Sequence, residues 1–276
     1  MKLFVTGGTG FIGSHFLQEA LHAGHEIIAL RRPNSKTRIP LETQPQWLDG
    51  ELDKEYPESL QGCDALVHFA AHTPNPPYDS YENCFYWNVT ATLQLFNRAM
   101  EAGVQNFVVA GSCFEYGKAA ESYDKIPVDA PLEPTASYPS SKAEASKALS
   151  AWATEKEIHL QILRLFHVFG VGENPSRLFP SLHRAAISGE DYQMTAGDQV
   201  RDFISVKQVA QQFLHAVTSD LPVAGVPRIR NIGTGNPQTV REFSEYWWKK
   251  WEATGQLQIG VIPYRDNEVM RYLPEV

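Results

Sequence analysis

Cysteine is scarce in this chain: Cys63, Cys84 and Cys113 are the only three among 276 residues, odd in number and widely spaced. No CxxC pair suggests a zinc site or a disulfide framework, so no metal is expected and a reducing, cytoplasmic setting fits best. Positive charge is also in short supply. With 24 Lys and Arg against 32 Asp and Glu the net charge is -8, which leaves no overall basic surface to neutralise a phosphate backbone and argues against nucleic acid as a partner. Long apolar runs are missing too. No stretch approaches the ~18 residues of a membrane span, and Leu3-Phe4-Val5 is broken at once by glycines, so neither a signal peptide nor a membrane partner is expected. What remains is a chain 43% apolar, long enough to bury a sizeable core as one large or two small domains.

Short β-rich runs at 2–6, 26–31, 65–70, 105–110 and 159–166 alternate with helix-length amphipathic segments. Strands that are apolar along their whole length and separated by helices belong to a buried parallel sheet. Between the first two runs Ile12, Phe16, Leu17, Ala20 and Leu21 recur at helical spacing and Gly24 closes the segment, giving one βαβ unit. The stretch Thr73-Pro74-Asn75-Pro76-Pro77 reads as a loop at the carboxyl edge of the sheet. After Phe169 the rhythm changes to a Gly/Pro-rich passage, a helix near 178–188, a Trp-rich helix near 240–254 and a strand near 258–262. The expected fold is therefore α/β, a Rossmann-type doubly wound parallel sheet with a smaller, partly interleaved α/β substrate domain. Residues 1–169 form the dinucleotide-binding domain, 201–233 return to it as a helix near 203–218 and a late strand near 228–233, and 170–200 with 234–276 form the second domain.

Gly7-Gly8-Thr9-Gly10-Phe11-Ile12-Gly13 stands between the first strand and the first helix. Glycines in that context allow a tight turn and close backbone approach to a pyrophosphate seated on the helix N-terminus. Gly7, Gly10, Phe11, Ile12 and Gly13 are thus the first cofactor candidates. An NAD site usually carries an acid at the end of the second strand. This chain has Arg31-Arg32 there, and 27–41 contains Lys36 and Arg38 as well and no acid. That reversal favours the 2′-phosphate of NADP(H), with NAD(H) as the second choice. One or two charge-assisted bonds at roughly 1.5–3 kcal/mol each would give a preference on the order of tenfold to several hundredfold.

Tyr138 and Lys142 fall four residues apart in Tyr138-Pro139-Ser140-Ser141-Lys142, on one face of a helix. The ammonium is expected to lower the phenol from its ordinary value near ~10 and make it a proton donor and acceptor near neutrality. Tyr246 and Lys250 repeat the spacing, yet no strand with a terminal serine precedes them, so they read as packing plus a surface charge. Upstream of the first pair, Val108-Val109-Ala110-Gly111-Ser112 is a strand ending in a hydroxyl that can bond a substrate oxygen beside Tyr138.

On these residues the chain resembles the extended short-chain dehydrogenase/reductases of the nucleotide-sugar branch. TGGTGFIG is similar to the family's opening motif, Val67-His68-Phe69-Ala70-Ala71 to its fourth-strand motif, and Asn88-Val89-Thr90 to its helix motif with a supporting Asn. Ser112, Tyr138 and Lys142 fall on the catalytic positions. Arg164 to Gly170, Gln199 to Ile204, Asn231 to Gly235 and Pro263-Tyr264-Arg265 with Glu268 match later landmarks. The resemblance implies a nucleoside-diphosphate sugar as substrate and a homodimer built on helices near 85–102 and 137–154. It adds Glu51, Leu52, Ala70 and Ala71 to the cofactor contacts, has Lys142 bind the nicotinamide ribose, and places His72, Cys113, His167, Arg201, Arg265 and Glu268 on the substrate. For Cys113 and His72 a buried thiol and a loop histidine are the plainer readings. Arg201 and Arg265 suit bidentate diphosphate contacts. His167 departs from the Asn that relatives usually carry there, and the chain stops at Val276, where relatives commonly continue.

The residues after Ser112 discriminate among reactions. Dehydratases of this family carry Asp-Glu there, as acid and base for loss of water; this chain has Cys113 and Phe114. Between the rest, Arg31 and Arg32 favour an enzyme that consumes NADPH over one that keeps NAD. The expected function is NADPH-dependent reduction of the 4-keto group of a nucleoside-diphosphate 4-keto-6-deoxyhexose. The alternative is an NAD(P)-dependent nucleotide-sugar 4-epimerase, and a non-catalytic NADP sensor is disfavoured by the intact Ser112, Tyr138 and Lys142.

Overall fold

The computed structural model describes residues 1–265 and 268–276. β1 (Lys2–Thr6), α1 (Phe11–His22) and β2 (Glu26–Arg31) form the opening unit, followed by β3 (Gln46–Asp49), α2 (Pro57–Leu60) and β4 (Ala65–His68). α3 (Tyr81–Phe85) and α4 (Ala91–Glu101) are joined through a π-helical turn at Tyr86–Thr90, and β5 (Asn106–Ser112), α5 (Ser137–Glu155) and β6 (His159–Leu165) come next. Shorter elements then alternate: β7 (His167–Phe169), α6 (Leu178–Ser188), β8 (Tyr192–Met194), β9 (Val200–Arg201) and β10 (Phe203–Ser205). The chain closes with α7 (Val206–Thr218), β11 (Arg228–Ile232), β12 (Gln238–Thr239), α8 (Val240–Lys250), β13 (Leu257–Ile259) and β14 (Arg271–Tyr272).

Seven parallel strands lie in the order β3-β2-β1-β4-β5-β6-β11. Alternate side chains of β1 enter opposite cores, as the two-residue period of a strand requires. Leu3 and Val5 pack with Phe16 and Leu17 of α1 and Val209 and Phe213 of α7, while Phe4 packs with Leu60, Leu95, Phe96, Leu149 and Trp152 from α2, α4 and α5. Helices therefore cover both faces, and each fully buried Leu or Phe contributes roughly 1.5–3 kcal/mol. The strand order reverses between β1 and β4, the place where such sheets open a crevice at their carboxyl ends.

β3 was not among the expected strands. Glu42 to Asp49 is too polar to read as one, and it becomes a strand by pairing with β2 in the register Ile28↔Gln46 to Arg31↔Asp49. β4 ends at His68, two residues short of the expected run; its buried imidazole meets Thr6 Oγ1 at 2.8 Å and Thr92 Oγ1 at 3.3 Å. The segment at 203–218 opens as a strand before Ser205 and Gln208 form the capping box of α7. α8 stops at Lys250, not 254, and β13 is ended by Gly260 at φ +80°. β11 joins the main sheet as its edge strand beside β6. Among the described residues no helix is long and apolar enough to cross a membrane.

Candidate active site

A cleft of about 630 Å³ runs along the carboxyl ends of β1, β2, β4, β5 and β6. At its β1 end Gly7 adopts φ +70°, and a Cβ there would fall 2.4 Å from the backbone N of Ala70. A Cβ on Gly13 would fall 2.2 Å from the carbonyl O of Gly7. The turn thus brings β1, β4 and α1 into direct backbone contact, which only glycine permits. Gly10 caps α1 without a side chain, so the first-turn N–H groups keep their capacity for an anion. These features fit a dinucleotide pyrophosphate. Every residue expected to touch the cofactor lines the cleft: Gly7, Gly10, Phe11, Ile12, Gly13, Arg31, Arg32, Glu51, Leu52, Ala70, Ala71, Tyr138 and Lys142.

The reading of Arg31 as an unopposed cation needs correction. Its Nε donates to Asp49 Oδ1 at 2.7 Å and its guanidinium lies 4.7 Å from the centre of the Trp47 ring. The acid missing from the end of β2 comes from β3, which pairs beside it. Arg32 and Arg38 also line the cleft and make no ion pair among the described residues.

Ser112 ends β5, Tyr138 lies in the first turn of α5 and Lys142 follows one turn later; all three are buried and line the cleft. Tyr78 stacks on Tyr138 with ring centres 5.5 Å apart. The expected lowering of the phenol by Lys142 is absent. Burial, joined by the charge of Glu115, raises Tyr138 well above the ordinary tyrosine value, and the hydrogen bond with Ser112 opposes them only in part. Lys142 spends its ammonium on the carbonyl of Ala110, at 2.9 Å, and burial lowers its own pKa. Asn88, in the π-helical turn, accepts from the backbone N of His72 at 2.7 Å and donates to Ser141 Oγ at 2.9 Å. It links the loop after β4 to α5. The His72 ring meets Asp79 at 2.7 Å.

Cys113 and Phe114 line the cleft beside Ser112. Burial pushes the Cys113 thiol up to about 12, so at neutral pH neither side chain exchanges a proton. His167 lines the cleft as well; burial and the neighbouring Arg201 and Arg177 hold it neutral, and its Nδ1 has no partner among the described residues. Arg201, Arg265 and Glu268 do not line the cleft. Arg201 donates to Glu268 Oε1 at 3.0 Å and to the carbonyl of Val269 at 2.6 Å, while Arg265 is exposed. The pairing of Arg201 with Glu268 occupies the guanidinium that was expected to be open. Tyr246 and Lys250 are exposed on α8, as expected of a surface pair.

Three residues escaped the sequence reading. Arg177 and Glu173 line the cleft as an ion pair at 3.4 Å, and Glu173 Oε2 is buried without a partner among the described residues. Nothing in a Gly/Pro-rich passage marked them. Glu115 lies fully buried behind Ser112 and pairs with Arg164 Nε at 2.9 Å. Its signal was an acid and a base inside two otherwise apolar segments.

A model of the NAD dependent epimerase/dehydratase family matches residues 3–233, and the chain belongs to that family. The chain is 30% identical over 281 residues to a UDP-glucose 4-epimerase of Haemophilus influenzae, covering 88% of this chain and 80% of the relative. It is 26% identical over 272 residues to a CDP-abequose synthase of Salmonella muenchen, covering 98% and 87%. The solved structure of MoeE5 in complex with UDP-glucose and NAD superposes with a TM-score of 0.83 at 27% identity, covering 100% of this chain and 90% of the other. Nucleotide-sugar chemistry on an oxidoreductase-type site is the common ground.

Proposed function

We propose that the chain reduces the 4-keto group of a nucleoside-diphosphate 4-keto-6-deoxyhexose with NADPH. When bound, the dihydronicotinamide supplies a hydride to the carbonyl carbon. Ser112 holds the carbonyl oxygen, Tyr138 gives its phenolic proton to that oxygen as charge develops, and Lys142 orients the nicotinamide ribose. Segments 170–200 and 234–276 are proposed to hold the nucleotide sugar, with His72 and Cys113 at the sugar end and His167 near the diphosphate. Arg201, Arg265 and Glu268 would join only if closure over the substrate brought them in.

The observation that carries this reading is that Arg32 and Arg38 line the same cleft as Ser112, Tyr138 and Lys142 and make no ion pair among the described residues. Burial and Glu115 keep Tyr138 in the phenol form from which a reduction starts. Arg32 and Arg38 in the cleft support NADPH, and Cys113 and Phe114 leave an elimination without its acid and base.

A 4-epimerase is the second reading, favoured by the neutralisation of Arg31 by Asp49 and by the NAD in the MoeE5 complex. A homodimer through α4 and α5 is part of the proposal, supported by Tyr81 and Tyr86, which stand 54% and 40% exposed on the helical stretch leading into α4. The deciding experiment mixes purified protein with NADPH and a thymidine- or cytidine-diphosphate 4-keto-6-deoxyhexose. Stoichiometric loss of NADPH absorbance is expected, with no interconversion of UDP-glucose and UDP-galactose. NAD that copurifies and does not exchange, together with UDP-sugar epimerisation, would assign the chain to the isomerases.

A further inference from the structure

The Glu115 carboxylate sits where β5 and α5 meet. Its Oε1 accepts from the backbone N of Ser112 at 2.8 Å. Its Oε2 accepts from Ser146 Oγ at 2.8 Å and from Arg164 Nε at 2.9 Å. Ser146 lies one helical turn beyond Lys142 and two beyond Tyr138, on the face of α5 that carries both. Gly111 makes the approach feasible, since even a Cβ there would stand 3.0 Å from Glu115 Oε1. Arg164 is itself fixed by Tyr116 Oη at 2.9 Å and the carbonyl of Val128 at 2.8 Å, so the carboxylate is anchored from β6 and aimed at both catalytic elements.

We propose that Glu115 is the positioning residue of the catalytic site, fastening the strand end that carries Ser112 to the helix that carries Tyr138 and Lys142. The tie is mechanical, because one carboxylate bridges two elements whose relative placement sets the distance from hydroxyl to phenol. It is electrostatic as well: the negative charge favours the ammonium of Lys142 and disfavours the phenolate of Tyr138. The other groups facing Tyr138 are Tyr78 from the loop after β4, Cys113 beside Ser112, and Ser112 itself; of these only the Ser112 hydrogen bond favours phenolate. Arg164 and Tyr116 face Glu115 from its far side.

The inference rests on Tyr138 as the proton donor, so the test separates the two. Ser146→Ala cuts the helix side of the tie with no change of charge; Glu115→Gln keeps the shape and removes the charge. In the NADPH-dependent reduction Ser146→Ala is expected to lower kcat about tenfold with KM for both substrates within about twofold, as misplacement of reacting groups requires. Glu115→Gln is expected to lower kcat further and to move the alkaline fall of kcat to lower pH, because the charge that held the phenol protonated is gone. Unchanged kcat in Ser146→Ala overturns the tie, whether Glu115→Gln is impaired, normal or unfolded. An alkaline limb that stays put in a folded Glu115→Gln overturns the electrostatic part. If the wild-type protein turns over no nucleotide sugar, the reading above fails, and amide hydrogen exchange over 106–117 decides: faster exchange at Ser112 in Ser146→Ala supports the tie, and unchanged exchange overturns it.

Discussion

Arg31 and Asp49 face each other across neighbouring parallel strands, with the guanidinium Nε 2.7 Å from the carboxylate and the charge lying over Trp47. Asp49 is half exposed, so the pair adds about 0–1 kcal/mol to stability. Its consequence is for ligands. A guanidinium already facing a carboxylate offers less to a phosphate, which leaves Arg32 and Arg38, unpaired among the described residues, as open cations at that end of the cleft.

The expected outcome for cofactor choice follows. Replacing Arg32 and Arg38 together with Asn should weaken NADPH about tenfold or more and leave NADH within about threefold, since only NADPH carries the extra phosphate. Asp49→Asn should act in the opposite direction and strengthen NADPH by releasing Arg31. Fluorescence titration of both cofactors checks this. Equal changes for NADH and NADPH would remove the 2′-phosphate from consideration.

The two YxxxK pairs make a second contrast. Tyr138→Phe should lower kcat by about 10²–10⁴-fold while NADPH still binds, because the ring packs against Tyr78 and has no proton to give. Tyr246→Phe should stay within about twofold of wild type, since that phenol is exposed on α8, where it meets Lys250 and Trp247. Steady-state kinetics of the two variants side by side decides the matter, and similar losses would show that the wrong pair had been chosen.

How far the sequence speaks depends on whether a residue's partners are near it in the chain. The glycine turn, the first βαβ unit and the Ser112, Tyr138 and Lys142 constellation were legible because periodicity and spacing are local. Asp49 was not, because it opposes Arg31 only once β3 pairs with β2. The raised phenol of Tyr138 was missed for a similar reason. Spacing placed Lys142 one turn away but did not show that Ala110 takes its ammonium or that Glu115 lies buried behind Ser112. Arg201 and Glu268, 67 residues apart in the chain, were both assigned to substrate and turned out to bond each other.

The glycine turn supports a steric prediction. Gly13→Ala forces backbone to move, because the new Cβ would meet the carbonyl of Gly7 at 2.2 Å, and dinucleotide binding should be lost. Gly24→Ala has open space around it at φ +80°. That change should lower stability by about 1 kcal/mol through the left-handed backbone and leave cofactor affinity unchanged. Cofactor titration together with thermal melts separates the cases; intact binding in Gly13→Ala would mean that the turn relaxes without losing its anion site.

Glu173 should make stability depend on pH in a direction opposite to most carboxylates. Burial raises it from an ordinary value of 4.5 to about 7, against the pull of Arg177. Between those values the folded state holds a proton that the unfolded state has released. Its contribution is therefore complete below about pH 4.5 and is lost as pH rises through about 7. The span corresponds to at most ~3 kcal/mol. His68, lowered by burial to about 3, works the other way and gains stability as pH rises toward 6.5, so the wild-type curve alone mixes the two. Glu173→Gln keeps the amide in place of the protonated acid and cannot ionise. Subtracting its Tm from that of the wild type isolates Glu173: the variant should be the more stable at pH 8 and close to wild type at pH 5. Parallel curves across that range would show that Arg177 holds Glu173 ionised throughout.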